Sequence, residues 1–564
     1  MPKHDIASGS GVRGALIRYL LPLEREMSAH FFRWLPWQLM LGVAACGGSG
    51  DSSTNPGNAN TPPQNFTVSP AIAATAPRST TTFTAKNASG ASASVVWRVN
   101  GVTGGSSQVG LISAGTYTAP STIPDGDSVV VTAATSDNAF QQSATVYFIP
   151  DNTTSDYYVP IPRVVDLARA TRTRFLVVPP PNTATVSFIP ISGSAIPLTS
   201  IGGRAVTFTL DASAVTSAYV SGTLHHFVGR LDYRTSTNAQ IKLTNLVLNV
   251  RDAGMPDVAV TSLGADAQRT PYVLNLRADT ATIGPYASVV ARTLQLLGGD
   301  KVDFVAVVAT VNSNNNRYFA GLRNDVRGIG LSEFDNSRAW GGAGRLRGTI
   351  AFPLDNFFDG AEQGFIHEHG HAWVNFATDP VLRAGSPHWP LSTMAHGIMG
   401  FSVGGAGGEG GSFPWLLTPL GDGTVRVTAD PPPIMFTPLD LYVMGLLSPD
   451  SVPANLILPP STGANSLATG QILPATTYTI NDYIAGMGAR VPPSTTSQKQ
   501  FATACVVLSY GRLLTPSEMA FFDYASARAE TKTPLTAVSG LATTTAPGFF
   551  LATGGRATLT TRLP

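Results

Sequence analysis

The sequence predicts a multidomain protein in which β-sandwich modules come first and an α+β domain follows. Its 564 residues are enough for about three to four domains. The 56 glycines and 42 prolines separate short, alternating strand patterns as far as about residue 262. Beyond that point longer helix and strand patterns alternate. Only 13% of residues are charged and the net charge is +1, so no basic surface indicates a nucleic-acid partner.

Residues 1–46 predict export and a lipid anchor. The basic Arg33 precedes the apolar run 37–45, which is too short for a permanent membrane span but typical of a signal peptide. The run ends in Val-Ala-Ala before Cys46, which resembles the lipobox of bacterial lipoproteins. That resemblance implies cleavage before Cys46 and diacylation of its sulfur. An ordinary secretory signal with an incidental cysteine is the alternative.

The chain after Cys46 favours lipidation. Residues 47–65 are mostly Gly, Ser, Asn, Thr and Pro, a composition typical of a flexible linker. We therefore expect a lipid-anchored protein of the bacterial cell envelope, in the outer membrane and facing the periplasm or the surface. The residues before Met27 match no targeting pattern, which favours Met27 as the start of a signal peptide of ordinary length.

Residues 66–150 have the strand and turn rhythm of a small β-sandwich, with turn residues such as Asn100-Gly101. The motifs Val-Trp-Arg-Val-Asn-Gly at 96–101 and Gly-Leu-Ile-Ser-Ala-Gly-Thr-Tyr-Thr-Ala-Pro at 110–120 resemble bacterial Ig-like domains. The resemblance implies a spacer or adhesion module with Trp97 as its core tryptophan.

Residues 151–262 predict a second β module whose function the sequence does not indicate. Its one histidine pair, His225 and His226, lies on a predicted strand. Adjacent strand residues face opposite sides, so the pair is not expected to chelate a metal. The strands are predicted at residues 183–189, 205–210 and 241–250.

The domain at 263–564 contains His367-Glu368-x-x-His371, the HExxH signature of zinc-dependent metallopeptidases. On an α-helix, residues i and i+4 share one face, so both imidazoles can reach one metal ion. Glu368 is the next residue after His367 on this helix, and it is predicted to be the general base that takes a proton from the metal-bound water. His369 faces away and is expected to be structural. A chance five-residue match is the alternative.

The helix of this motif is predicted to begin near Asp359, which has capping-box spacing to Glu362, and no proline interrupts it up to Ala377. A strand at 348–352 precedes it, and this order resembles the zincin arrangement. In that family an edge strand pairs with extended substrate, so residues 345–350 are a candidate substrate-side strand. An ordinary internal strand is the alternative.

A catalytic zinc needs a third protein ligand. The metzincin pattern is excluded because Val374 and Ala377 occupy its glycine and histidine positions. The thermolysin pattern is excluded because the next glutamate, Glu409, lies in a glycine-rich segment rather than on a helix. Asp379 precedes Pro380 and is interpreted as part of the end of the motif helix.

Asp440 is the preferred third ligand, because it is the only charged residue in a largely apolar run and a buried carboxylate needs a partner. Its Asp-Leu-Tyr-x-Met-Gly segment resembles an element of some secreted bacterial zincins, and the aspzincin group uses an aspartate ligand. Thr437 and Asp440 also fit a capped helix start. His396 and His388 are the alternative ligands, and Tyr442 is a candidate to stabilise the tetrahedral intermediate.

These observations together predict β-sandwich modules followed by a zincin-like α+β catalytic domain. The expected function is that of a lipid-anchored, zinc-dependent endopeptidase acting on extended polypeptide. The alternative is a non-catalytic surface lipoprotein, an adhesion or binding protein with an inactive zincin domain. The intact Glu368 favours the enzyme, since a binding-only protein does not need a general base.

Overall fold

A computed structural model of the chain consists mostly of β-sheet, arranged in several separate sheets with a few helices. The chain divides into residues 1–61 and 62–564, and only the second unit contains described residues. The structure describes residues 65–122, 124, 128–148, 164–166, 182–189, 196–197, 199–200, 206–207, 225–251, 258–278, 286–310, 317–353, 361–374, 376–402, 409–510, 512–533 and 548–564. The signal peptide, Met27, Cys46 and nearly all of the predicted linker lie outside these ranges.

The first predicted module contains eleven short strands. They are β1 (Phe66–Ser69), β2 (Ile72–Thr75), β3 (Thr80–Thr82), β4 (Thr84–Asn87), β5 (Val96–Val99), β6 (Val102–Thr103), β7 (Gly105–Ser106), β8 (Gly110–Ser113), β9 (Thr116–Thr118), β10 (Ser128–Ala134) and β11 (Gln141–Phe148).

These strands form a β-sandwich, as the alternating pattern predicts. One sheet has the order β2-β11-β10-β5-β6 and the other β3-β9-β8-β7. Their inward side chains share one core that includes Val131, Val146 and Tyr117. Tyr117 is fully buried, and its hydroxyl donates to the Val109 carbonyl at 2.6 Å. Trp97 was expected to be the core tryptophan. Its side chain packs against the core but is only half-buried.

The second predicted module is described in part. Its five-stranded sheet has the order β12-β18-β17-β13-β14. The strands predicted at 183–189 and 241–250 are present, and His225 and His226 begin β17, although their side chains lie outside the description. The strands are β12 (Val164–Asp166), β13 (Thr185–Ile189), β14 (Ile196–Pro197), β15 (Thr199–Ser200), β16 (Val206–Thr207), β17 (His225–Arg234) and β18 (Gln240–Arg251).

The C-terminal region mixes helices and strands. Its strands are β19 (Thr261–Ser262), β20 (Ala267–Arg269), β21 (Val273–Ala278), β22 (Phe304–Ala309), β23 (Tyr318–Gly321), β24 (Arg323–Asn324), β25 (Phe334–Asp335), β26 (Gly348–Pro353), β27 (Phe401–Ser402), β28 (Glu409–Gly410), β29 (Trp415–Pro419), β30 (Thr424–Ala429), β31 (Asn455–Ile457), β32 (Ile472–Pro474), β33 (Thr476–Tyr478), β34 (Gln500–Tyr510) and β35 (Thr558–Thr560). Its helices are α1 (Ala287–Leu296), α2 (Ala361–Gly370), α3 (Pro380–Arg383), α4 (Pro438–Val443), α5 (Ile480–Met487), α6 (Pro516–Ala529) and α7 (Phe549–Ala552), with 3₁₀ turns at Ser337–Trp340, Thr393–Ala395, Pro449–Ser451 and Ala464–Ser466.

An eight-stranded mixed sheet organises this region, in the order β19-β20-β21-β34-β22-β26-β23, with β35 paired to β34. Its four central strands, β21, β34, β22 and β26, run parallel. Strand β22 is buried along its whole length, as expected for a strand covered on both faces. The long strand β34 is at the centre of the sheet although it comes nearly 150 residues after β26.

The predicted substrate-side strand is wrong. Residues 348–350 belong to β26, which lies between β22 and β23 inside the sheet. The edge strand is β23, which pairs antiparallel with β26 from Tyr318 to Gly321. Helix α2 follows β26 as predicted but ends at Gly370, well before Ala377. Its predicted cap, Asp359, lies outside the described residues.

No α-helix in the part of the chain that the structure describes has both the length and the apolar character that a membrane span needs.

Candidate metal centre

Helix α2 brings the two motif histidines together. His367 lies in its last turn and His371 directly follows its last residue, so their rings occupy one face. The Nε2 atoms of the two rings are 3.1 Å apart. His367 is 9% exposed and His371 is half-buried, so both rings lie in a shielded site.

His388 adds a third imidazole to this pair. Its Nε2 lies 3.2 Å from Nε2 of His367, and one nitrogen of each of the three rings falls within 4.8 Å of the others. His388 comes from the loop after α3 and is 4% exposed. The structure therefore assembles three histidines that could hold a metal ion.

The other ring nitrogens of two of these histidines have partners of their own. His367 Nδ1 donates to the carbonyl of Ile398 at 2.8 Å, which directs the Nε2 lone pair toward the other rings. His388 Nδ1 lies 2.7 Å from Oγ of Ser402, a buried residue of β27. Such outer contacts orient metal-binding imidazoles and fix their tautomer.

The three rings fit zinc. Zinc–imidazole bonds of about 2.0–2.1 Å at tetrahedral angles place neighbouring nitrogens about 3.3 Å apart. The Nε2 separations of 3.1 and 3.2 Å in the structure are close to this value. Lone pairs of neutral imidazoles at this distance repel one another unless a proton or a cation lies between them. Three imidazole nitrogens are donors of the kind that zinc accepts in proteins.

Burial and nearby charges favour the neutral, metal-binding form of His367 and His371. Burial lowers the pKa of His367 to about 3, with further lowering by the charges of His388 and Arg317. Burial likewise lowers the pKa of His371 well below its ordinary value, and His367, His388 and Arg317 add to this effect. Few protons therefore compete with a metal near neutral pH.

Glu368 lies beside the cluster and is ion-paired. It is 4% exposed, and Nε of Arg317 donates to its Oε1 at 3.1 Å. Arg317 directly precedes the edge strand β23 and crosses α2 at Gly364, where an added Cβ would come within 3.2 Å of the arginine Nε. This ion pair provides the partner that a buried carboxylate requires.

The preferred third ligand, Asp440, is not part of the cluster. Its carboxylate is fully buried and accepts a hydrogen bond from Trp389 Nε1 at 2.8 Å. Its other oxygen accepts from the backbone N and from Oγ1 of Thr437, both at 2.8 Å. The expectation is therefore corrected: Asp440 completes the capping box of α4, and the third residue of the histidine group is His388, one of the two predicted alternatives.

The remaining site candidates also have other partners. His396 uses both ring nitrogens, Nδ1 with the carbonyl of Phe413 at 2.7 Å and Nε2 with Asp430 at 3.1 Å. Among the described residues, the hydroxyl of Tyr442 accepts from the backbone N of Arg490, and no hydrogen bond or ring contact of Tyr442 goes to a histidine. Neither residue is placed at the cluster.

His369 has the structural role expected of it. Its Nδ1 donates to the carbonyl of Phe365 at 2.6 Å, and its Nε2 lies 2.7 Å from Oγ1 of Thr503 on β34. It is fully buried and ties α2 to the centre of the sheet. Asp379 differs from its expectation, because it caps the start of α3 by accepting from the backbone of Val381 and Leu382.

Sequence reasoning missed four contributors: Arg317, the carbonyl of Ile398, Ser402 and Trp389. No local pattern could identify the carbonyl, since every residue carries one. Ser402 and Arg317 approach the motif only through tertiary contacts. Trp389 directly follows the candidate ligand His388 in the sequence. Its hydrogen bond to Asp440 is not predictable from that position, because the two residues are 51 positions apart.

No protein-family model matches the chain, and no curated protein matches it. Solved structures similar to parts of it include a chimeric titin Z1Z2 carrying a decorin-derived peptide, 14% identical over 34% of this chain and 95% of that one, with a TM-score of 0.12. A tri-modular GH5 endo-β-1,4-glucanase from Bacillus licheniformis is 7% identical over 32% of this chain and 38% of that one, at 0.15. Drosophila N-cadherin EC1-4 is 12% identical over 32% of this chain and 48% of that one, at 0.12. TM-scores this low carry no argument about fold or function.

Proposed function

We propose that the protein is a zinc-dependent endopeptidase of the bacterial cell envelope, anchored through a lipid on Cys46. The observation that carries this proposal is that the Nε2 atoms of His371 and His388 both lie close to Nε2 of His367. Glu368 is the next residue after His367 on helix α2. Three neutral imidazoles and one adjacent carboxylate are the parts that metal-assisted peptide hydrolysis requires.

Each residue has a distinct task in this proposal. His367, His371 and His388 hold the zinc, which when bound supplies Lewis acidity toward a carbonyl oxygen and toward water. Glu368 accepts the proton of the attacking water on a carboxylate oxygen and delivers it to the leaving amine. Arg317 holds Glu368 in place through the bond to Oε1, so that the base is positioned before substrate arrives.

The sheet edge supports polypeptide as the substrate. Strand β23 is the last strand of the sheet, and no other strand among the described residues pairs with its outer side. Helix α2 packs against β23, so this edge runs alongside the helix that carries the histidines. An extended polypeptide can add to such an edge by backbone hydrogen bonds. A parallel sheet with an antiparallel edge strand, followed by the HExxH helix, is consistent with the zincin-like interpretation.

The test is hydrolysis of an unfolded protein by the purified, zinc-loaded chain and by Glu368→Gln. The variant should keep stoichiometric zinc but lose activity by about 10²- to 10⁴-fold, because the general base is removed while the ligands stay. Glu333→Gln is the matched control, since Glu333 is exposed and forms only a long ion pair with Arg327. It should retain full activity.

A non-catalytic envelope lipoprotein with an inactive domain is the second candidate, and the strand-rich N-terminal modules are its only support. It predicts zinc at one equivalent and no hydrolysis by either protein. Equal hydrolysis by wild type and Glu368→Gln would also contradict the enzyme proposal, because that activity would belong to a contaminant. Mass spectrometry of the mature N-terminus tests the lipid on Cys46 separately.

A further inference from the structure

A cavity of about 320 Å³, which we call the arginine cavity, is lined by none of the three histidines. Arg347 directly precedes β26 and Gln498 lies two residues before β34, so the cavity opens at the amino ends of these parallel strands. Its volume is at the lower end of the range for small-molecule sites, about 300–1,000 Å³. The cavity can therefore hold a small molecule rather than a polymer.

The wall of the cavity carries an excess of positive charge. Three guanidinium groups line it, those of Arg323, Arg347 and Arg490, against the single carboxylate of Asp325. Asp325 is already shared: Arg347 binds it through both Nη atoms at 2.6 and 3.3 Å, and Arg323 Nη2 donates to it at 2.8 Å. Two positive charges in the lining are therefore unmatched.

Arg490 is a buried cation held by neutral oxygens. It is 7% exposed and donates to the carbonyls of Val443 and Met444, at the carboxyl end of α4, and to Oγ of Ser497. Among the described residues no carboxylate lies within ion-pair distance of it. Burial lowers the pKa of Arg490 to about 10, and the charge of Arg347 lowers it as well, whereas the more distant charge of Asp325 acts in the opposite direction. Buried charges normally have a partner of opposite sign.

Two hydrogen-bond donors at the cavity are unused. The Nε atoms of Arg323 and Arg347 are buried and have no hydrogen-bond partner, and Arg347 as a whole is only 8% exposed. Buried donors without a partner are rare in folded proteins, and a bound ion, water or ligand commonly accounts for them. The guanidinium groups of Arg323 and Arg347 are therefore not fully satisfied by partners within the protein.

We propose that the arginine cavity binds a small organic molecule carrying a divalent oxyanion, either a phosphate monoester or a dicarboxylate. Two negative charges balance the excess of the lining, and guanidinium groups bind such oxyanions through paired hydrogen bonds. Trp373, Phe501 and Val326 form an apolar part of the wall, against which the organic part of the ligand packs. This site is independent of the proposed peptidase chemistry.

The experiment is calorimetric titration of the whole chain, freed of zinc by dialysis, with phenyl phosphate, inorganic phosphate and succinate at constant ionic strength. We expect one saturable site for phenyl phosphate or for succinate, and the tighter of the two identifies the class. Reloading with zinc should leave this affinity unchanged. Binding that requires zinc would assign the anion to the histidine cluster and overturn the proposal.

Arg323→Gln should weaken binding at least about tenfold, because one guanidinium is lost while the Arg347–Asp325 pair remains. Arg292→Gln is the control, since Arg292 pairs with Asp266 at the surface and is not part of the cavity. Equal affinity in Arg323→Gln and wild type, or no saturable binding of any of the three anions, would overturn the proposal.

Thr496→Glu tests the same charge excess through a gain of stability. Thr496 is exposed at the cavity, so a carboxylate at this position can reach the guanidinium groups. The variant should have a higher thermal midpoint than wild type and should no longer be stabilised by whichever of phenyl phosphate and succinate binds the wild type more tightly. A lower midpoint together with intact anion binding would contradict a positively charged cavity.

Discussion

The histidine cluster consists of His367, His371 and His388, and the Asp440 cluster consists of Asp440 with its donors Trp389 and Thr437. The two clusters are neighbours, but the buried polar groups of the first face one another, whereas those of the second are paired by hydrogen bonds. Trp389 connects them, because it follows His388 in the chain and donates its indole N–H to Asp440. In the histidine cluster the Nε2 atoms of three rings face one another at 3.1 and 3.2 Å. In the Asp440 cluster both carboxylate oxygens already accept hydrogen bonds, from Trp389 and Thr437.

The difference teaches that burial alone does not indicate a metal ligand. A buried carboxylate needs a partner. Three donors of the protein satisfy the carboxylate of Asp440, so it does not need a cation. The three imidazoles instead direct lone pairs at one point, where only a proton or a metal relieves their repulsion.

Removal of His388 should have the largest effect. His388→Ala takes away one of the three proposed ligands. Loss of a residue that only hydrogen-bonds to a ligand lowers metal affinity by roughly 10- to 100-fold, so the zinc affinity of this variant should fall by more than that. Zinc content after dialysis, measured by mass spectrometry, should drop from one equivalent to near zero. His396→Ala is the matched control, because both of its ring nitrogens are engaged elsewhere, and it should keep its zinc. Loss of zinc from His396→Ala together with retention of zinc by His388→Ala would make His396 the ligand instead of His388.

Removal of Asp440 should affect stability and not zinc. Asp440→Ala leaves three buried donors without an acceptor, at a cost of roughly 3 kcal/mol or more. Asp482 provides a matched control, since it forms the same capping box with Thr479 on α5 but at the surface. Asp482→Ala should cost only about 1 kcal/mol. Urea denaturation compares the two variants, and loss of zinc from folded Asp440→Ala would contradict the structural role.

The contribution of Asp440 should also depend on pH. Burial raises the pKa of Asp440 to about 6, although the bonds from Thr437 and Trp389 act in the opposite direction. The folded protein thus holds this proton more tightly than the unfolded chain, so the contribution to stability is complete below about pH 4 and declines as the pH rises through 6. The difference in unfolding free energy between wild type and Asp440→Ala should therefore shrink from pH 4 to pH 7. An increase over that range would contradict the assigned pKa.

Ser402 should have the smallest effect. Ser402→Ala removes the partner of His388 Nδ1 and should weaken zinc binding by about tenfold, because the ring loses its orienting contact. Ser392→Ala is the control: this serine is equally buried in the same region but bonds the Pro390 carbonyl. A competitive zinc titration with a chromophoric chelator resolves the change. Equal affinity in both variants would remove Ser402 from the site.

Local structure was largely predictable from the sequence. The strand β22, the helix α6 and the capping box of Thr437 and Asp440 follow from apolar patterns and from cap residues at fixed spacing. The pairing of His367 with His371 follows from helical periodicity in the same way. Each of these features is encoded within a few residues.

Features that depend on distant contacts were not predictable. Nothing in the run of β34 indicates that it enters the sheet between β21 and β22, because a buried strand has the same pattern at any central position. His388 and His396 both lie between helices α3 and α4, and only the fold distinguishes the one that meets α2. Arg317 reaches Glu368 across 51 residues, a contact with no local signal.

X-ray absorption at the zinc edge of the zinc-loaded chain tests the central claim most directly. We expect three imidazole nitrogens at about 2.0–2.1 Å and one oxygen ligand in the fourth position. His388→Ala, measured with one equivalent of added zinc and without dialysis, should show at most two imidazoles. Two imidazoles and a carboxylate in the wild-type spectrum, unchanged in His388→Ala, would contradict the assignment of His388 and return the third position to a carboxylate.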